Sequence, residues 1–132
     1  MICVKLPDPP GRRVQESKTI SGGDAGQNCE FDVMKMAFLV CNDYFADRAM
    51  QLLRDSEIDY FTSWDHAKGK GHGTEPHLGS KSFGSTNAVI MVAFEDEAPL
   101  ERLIHGISSA NLEITRAADR IRLFQLPLDR IV

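Results

Sequence analysis

The sequence is short of the features that assign a protein quickly. It has three cysteines, Cys3, Cys29 and Cys41, far apart and without a C-x-x-C pair, so neither a disulfide framework nor a zinc ribbon is encoded. Reduced thiols are expected. No apolar run approaches the length of a membrane span. Pro7, Asp8, Pro9 and Pro10 interrupt the N-terminus at once, which excludes the apolar core of a signal peptide there. Basic residues are outnumbered, leaving a formal net charge of −4, the opposite of the basic excess of a dedicated nucleic-acid binder. No serine, cysteine or histidine stands in a recognisable nucleophile context. These absences describe a cytoplasmic, non-enzymatic chain with no nucleic-acid partner.

What is present falls into two unequal parts. Residues 1–33 carry Pro7, Pro9 and Pro10, then Arg12 and Arg13, then Ser21-Gly22-Gly23-Asp24-Ala25-Gly26, with no helical or strand period. Such a segment buries too little apolar surface to offset its ordering entropy. It is read as a flexible N-terminal tail, or as an extension upstream of a true start at Met34 or Met36. Residues 34–132 form the folded domain, one domain's worth of chain.

In the domain, Met36-Ala37-Phe38-Leu39-Val40-Cys41 is a continuous apolar strand. Asn42 or Asp43 can cap a helix that places Phe45, Ala49, Leu52 and Leu53 on one face. The segment 60–66 alternates and is rich in aromatic and β-branched types, as a half-exposed strand should be. Ala88-Val89-Ile90-Met91-Val92-Ala93-Phe94 is a second apolar strand. Asp96 then caps a helix with Pro99 in its first turn and Leu100, Leu103, Ile104 and Ile107 on one face. Residues 121–126 give the last strand. The order β-α-β-β-α-β predicts an α+β ferredoxin-like sandwich, an antiparallel four-stranded sheet with two helices on one face. The two apolar strands are expected at its centre, where their lack of alternation suggests a parallel central pair beneath the crossover helices. The helix-free face is expected to show Trp64, Phe94 or Phe124, and an exposed apolar face of that kind marks a subunit interface.

Between the second and third strands lies a polar segment, 67–86, far longer than a hairpin needs. Gly69, Gly71, Gly73, Gly79 and Gly84 punctuate it, with Lys68, Lys70 and Lys81 against the single carboxylate Glu75. Two readings of the glycines stand. Gly69, Gly71 and Gly73 form a backbone nest for an anion beside Lys68 and Lys70, or they only confer flexibility on a solvated loop. His66, His72 and His77 are of the ligand types of a zinc or copper site, at spacings that match no standard motif. Helix capping and the macrodipole account for Asp43 and Asp96 without catalysis. Cys41, ending a buried strand, reads as a small apolar core residue.

Several short stretches resemble the PII-like signalling proteins of the nitrogen regulatory PII superfamily. They are Trp64-Asp65-His66-Ala67-Lys68-Gly69-Lys70-Gly71, Pro76-His77-Leu78-Gly79, Asn87-Ala88-Val89-Ile90 and Phe124-Gln125-Leu126-Pro127-Leu128. The resemblance covers 36–128 and marks a divergent member. It implies a homotrimer with sites for a small anionic metabolite in the subunit clefts, an adenine nucleotide (ADP, ATP or AMP) being the effector. It also implies a loop that changes conformation on binding and regulates a partner protein, an enzyme or transporter, in the control of nitrogen utilization. Two departures matter. The loop has no tyrosine to accept a uridylyl group. The connection 111–120 lacks the glycine-rich, lysine-containing phosphate loop of PII proper, which leaves Arg116, Arg120 and Arg122 to meet an anion. The expected ligand-binding residues are therefore Lys68, Gly69, Lys70, Gly71, Arg116, Arg120 and Arg122, with no catalytic residue. The alternative is a metal-binding trimer of the copper-tolerance (CutA-like) type, using His66, His72 and His77.

Overall fold

A computed structural model of the chain describes residues 33–132. The reading of residues 1–33 as a tail lies almost wholly outside them. Four strands, β1 (Lys35–Asn42), β2 (Thr62–Ala67), β3 (Asn87–Phe94) and β4 (Arg122–Pro127), form one sheet in the order β2-β3-β1-β4. Helix α1 (Ala46–Asp55) joins β1 to β2, and α2 (Glu97–Glu113) joins β3 to β4. The described chain is thus an α+β ferredoxin-like sandwich, with β1 and β3 central as their composition demands.

One expectation is corrected. The two central strands run antiparallel, with Lys35 opposite Phe94 and Asn42 opposite Asn87. Each crossover helix links strands that have another strand between them, so β1 is parallel to β2 and β3 to β4 only as next-nearest neighbours. Continuous apolarity here reports a central place in the sheet, buried on the helix face and half-buried on the other, not parallel pairing.

Both helices cover the same face. Ala37, Leu39 and Cys41 of β1 and Ala88, Ile90, Val92 and Phe94 of β3 pack there against Ala49, Leu52 and Leu53 of α1 and Leu100, Leu103, Ile107 and Ala110 of α2. A Cβ at Gly106 would come within 3.1 Å of Leu52 Cδ2, so this glycine lets α2 sit close on α1. Phe94 belongs to this core, nearly fully buried and edge-on to Tyr60 at 6.4 Å, and not to the open face. The cause is phase. Even-numbered residues of β3 face the helices, and a one-residue step reverses the side.

The caps differ in detail from the expected ones. Asn42 caps a 3-10 turn, Asp43–Phe45, by accepting from the Tyr44 N–H at 3.0 Å, and α1 begins only after it. Asp96 occupies the N-cap position of α2 without a side-chain cap bond. Strand β2 starts at Thr62, later than the aromatic run suggests, because Tyr60 and Phe61 pack against the core as they approach the sheet.

Candidate functional site

The polar ends of the central strands set the site. Asn42 closes β1 and Asn87 opens β3, directly opposite each other. The long connection 67–86 folds back over this end of the sheet. It is not structureless. Gly69 and His77 exchange both backbone hydrogen bonds, at 2.9 and 2.8 Å, and close a first lobe over 69–77. A second lobe is closed by Gly79 N–H to Ser85 O at 3.1 Å and Ser80 N–H to Phe83 O at 2.9 Å. Gly79 has φ +61°, and a Cβ there would meet Thr86 Cγ2 at 2.9 Å, so the junction of the lobes requires glycine.

His77 holds the first lobe down. Its side chain is nine-tenths buried, with Nδ1 2.6 Å from Asn87 Oδ1 and Nε2 4.0 Å from Asp119 Oδ1. Asp119 accepts from Asn42 Nδ2 at 3.1 Å and lies 3.7 Å from Arg116 Nε, and Arg116 in turn holds Glu75 of the lobe at 2.5 Å. Thr86 donates to Asp43 at the base of the loop. On the far side, Asn111 clamps Ile121 in both directions, donating to its carbonyl at 2.8 Å and accepting its N–H at 2.9 Å. That clamp fixes where β4 begins, and with it the phase of Arg120 and Arg122.

Two clefts result. The first, about 540 Å³, is lined by Gly69, Lys70, Gly71, His72, Thr74, Glu75 and His77 of the lobe, by Val40, Cys41, Asn42 and Asn87 of the central strands, and by Ala118, Arg120, Arg122 and Phe124. The second, about 310 Å³, lies between Asn42, Tyr44, Phe45, Glu75, His77, Ser85, Arg116 and Asp119. In the first cleft Lys70, Arg120 and Arg122 enter no ion pair among the described residues, and the one carboxylate lining it, Glu75, is engaged by Arg116. The cleft thus carries unneutralised positive charge on a net negative chain. Burial first, and the charge of Asp43 second, push the Cys41 thiol up to about 11. Near neutrality it is an inert, protonated wall of the cleft.

Of the ligand-binding residues expected from sequence, Gly69, Lys70, Gly71, Arg120 and Arg122 come together on the first cleft. Lys68 is exposed and outside both linings, and Arg116 faces the second cleft in its two ion pairs. The backbone nest over 69–73 does not form in full. Gly69 spends its N–H on the His77 carbonyl, and of these three glycines only Gly73 has positive φ. The three histidines are also not brought together. His72 and His77 line the first cleft, while His66, in a positive-φ kink where the β2–β3 register shifts, sits by Thr86 and Asp43. Among the described residues no group of three or more His, Cys, Asp or Glu is placed to hold a metal ion. Sequence reasoning missed Asn87 and Phe124 as cleft residues and Asn42 beyond its capping role. An asparagine at each end of facing apolar strands was the available signal.

No protein-family model and no curated protein matches this sequence. Solved structures do. CPII from Thiomonas intermedia K12 bound to ADP and bicarbonate matches at TM-score 0.54 and 16% identity over 74% of this chain and 89% of that one. The same protein, described as a nitrogen regulatory PII-like protein and bound to ADP, AMP and bicarbonate, matches at 0.53 and 17% over 75% and 96%. Its form with ADP, AMP and acetate matches at 0.53 and 18% over 74% and 89%. The described chain therefore has the PII-like fold.

Proposed function

We propose that this protein is a non-enzymatic PII-like regulator that binds an adenine nucleotide in the first cleft and passes its occupancy to a partner protein through the 67–86 loop. The observation that carries the reading is the meeting of Lys70 with Arg120 and Arg122, from segments about fifty residues apart, on one cleft without neutralising partners. Guanidinium groups of this kind suit phosphate oxygens. The structural likeness to a protein solved with ADP and AMP supports the choice of nucleotide. The missing phosphate loop is made up by Arg120, just before the last strand, and Arg122, which opens it, and Phe124 adds an apolar wall beside them.

The active form is a homotrimer joined through the open face of the sheet. Arg122 and Phe124 belong both to that face and to the cleft, so a neighbouring copy would border the ligand. The regulated partner is an enzyme or transporter, and the setting is the cytoplasm. Among the described residues no helix is long and apolar enough to cross a membrane.

Titration calorimetry of the full chain with ADP, AMP and ATP tests this reading. One of them should bind, and Arg122→Ala should weaken binding about tenfold or more, the scale of one lost charge-assisted contact of about 1.5–3 kcal/mol. Hydrogen exchange over 67–86 should slow with the bound nucleotide. Unchanged exchange with every adenine nucleotide, together with slowing by zinc or copper, would transfer the case to the metal-binding alternative.

A further inference from the structure

The second lobe of the 67–86 loop lines neither cleft except through Ser85, and it holds its side chains outward. Residues 78–84 are exposed without a break. They are nevertheless ordered. Besides the two backbone bonds that close the lobe, the Phe83 N–H donates to Ser80 Oγ at 3.1 Å, so the turn from Ser80 to Phe83 is bonded twice across. The Phe83 ring makes no aromatic contact among the described residues. Leu78 and Phe83 are 39 and 42% exposed. Two large apolar side chains presented outward on one bonded turn mark a contact surface.

Charge and size select what it meets. No Asp or Glu occurs between Glu75 and Glu95. Lys81, exposed two residues before Phe83, enters no ion pair among the described residues, and neither does exposed Lys68 at the foot of the loop. The tip is therefore apolar and positive, on a chain of net charge −4. It is also small, far short of the about 20–30 residues a side of a specific protein interface. A bilayer surface needs no matching groove. It offers apolar depth and anionic headgroups together, and a lysine beside an inserted ring keeps its ammonium among the headgroups while its stem lies deeper.

We propose that the second lobe is a membrane-docking tip, Leu78 and Phe83 entering the headgroup boundary of an anionic bilayer and Lys81 pairing with its lipid phosphates. One such tip binds weakly. Useful affinity rests on the trimer reading above, because cyclic closure sets three equivalent tips at one level and linked weak contacts multiply.

Flotation of the full chain with lipid vesicles tests the proposal, with its mass measured alongside by light scattering. Vesicles of phosphatidylcholine with about 30% phosphatidylglycerol should carry the chain upward at low salt, and pure phosphatidylcholine should bind it about tenfold less or weaker still. Salt of about 0.5 M should release it, because screening then acts within a few ångströms. Phe83→Ala and Lys81→Glu, both exposed changes, should each weaken binding about tenfold without altering the mass. No flotation with anionic vesicles overturns the proposal: at a mass of three protomers it falls alone, and at a mass of one the trimer reading falls with it. Binding that is equal on neutral vesicles, or indifferent to Phe83→Ala, overturns it too. So does a change of mass in Phe83→Ala, which would make the tip a contact between copies. A benzophenone amino acid in place of Phe83 should cross-link to lipid in native membrane vesicles, and cross-links to protein alone would assign the tip to a protein partner instead.

Discussion

The two faces of the sheet are built from the same strands and nearly the same residue types, yet only one is covered. On the helix side Leu39, Ile90, Val92 and Phe94 are sealed beneath α1 and α2. On the other side Met36, Phe38 and Val40 of β1 alternate with them, joined by Val89 and Met91, and by Phe124 and Leu126 of β4 and Trp64 of β2. Trp64, Phe124 and Leu126 are 46, 53 and 44% exposed, an unusual cost for large apolar side chains on a monomer. The covered face makes the protomer. The open face needs another use, and it runs directly into the first cleft through Val40, Arg122 and Phe124.

The largest expected effect breaks that comparison on its open side. Phe124→Glu should leave the protomer folded, because the side chain is exposed, but reduce the mass seen by light scattering from three protomers to one. A wild-type protein that already runs as a monomer at micromolar concentration would remove the intersubunit model. On the covered side Leu39→Ala should cost about 2–5 kcal/mol in urea unfolding, the range for a buried leucine whose cavity cannot collapse. The same truncation at exposed Leu126 should cost far less.

A third prediction probes a titratable group of the covered face, the Cys41 thiol. The Cys41 thiol ionises more readily in the unfolded chain than in the fold, where burial raises it to about 11. The unfolded state therefore loses its proton first as pH rises, so the stabilisation present below pH 9.0 declines through about 11. A two-unit rise corresponds to about 2–3 kcal/mol. Cys41→Ala should lose stability less steeply than wild type across that window in pH-dependent denaturant melts, and parallel curves would show that the thiol is not desolvated.

The smallest effect concerns the loop tether. Glu75 and Arg116 are both largely exposed, so Glu75→Gln should change global stability by less than about 1 kcal/mol. Its signature is local, a faster exchange of the Gly69 and His77 amides that close the first lobe. If those amides are unaffected, the bridge between Gly69 and His77 holds the lobe without the ion pair.

The sequence made the two faces unequally legible. Runs such as 36–41 and 88–94 announce central strands, but a continuous apolar run conceals which residue faces which side, and Phe94 was misplaced for that reason. The element order disclosed an antiparallel sheet, but the direction of the central pair was misread from the apolar runs, since it follows from which strands the helices connect. At the site, the basic residues were visible because Lys70, Arg120 and Arg122 stand out in polar segments. Their company was not. Asn42 and Asn87 look like ordinary strand ends, and only register sets them opposite each other. Lys68 and Lys70 are indistinguishable in sequence, but only Lys70 lines the cleft. The histidines misled in the other direction, because His66 stays at the base of the loop by Thr86 and Asp43 while His72 and His77 fold over the first cleft.

The two-way clamp of Asn111 on Ile121 has a consequence for how this fold can vary. A single amide side chain mimics a strand partner, so both ends of the 112–120 connection are tied to each other independently of what lies between them. Natural variation and engineering alike can lengthen or rewrite its exposed stretch near Thr115 without dragging the last strand out of step. Arg122, at the head of β4, is thereby insulated from its own leader segment, while a change at Asn111, which bears no charge and touches no cleft, would shift it together with Phe124.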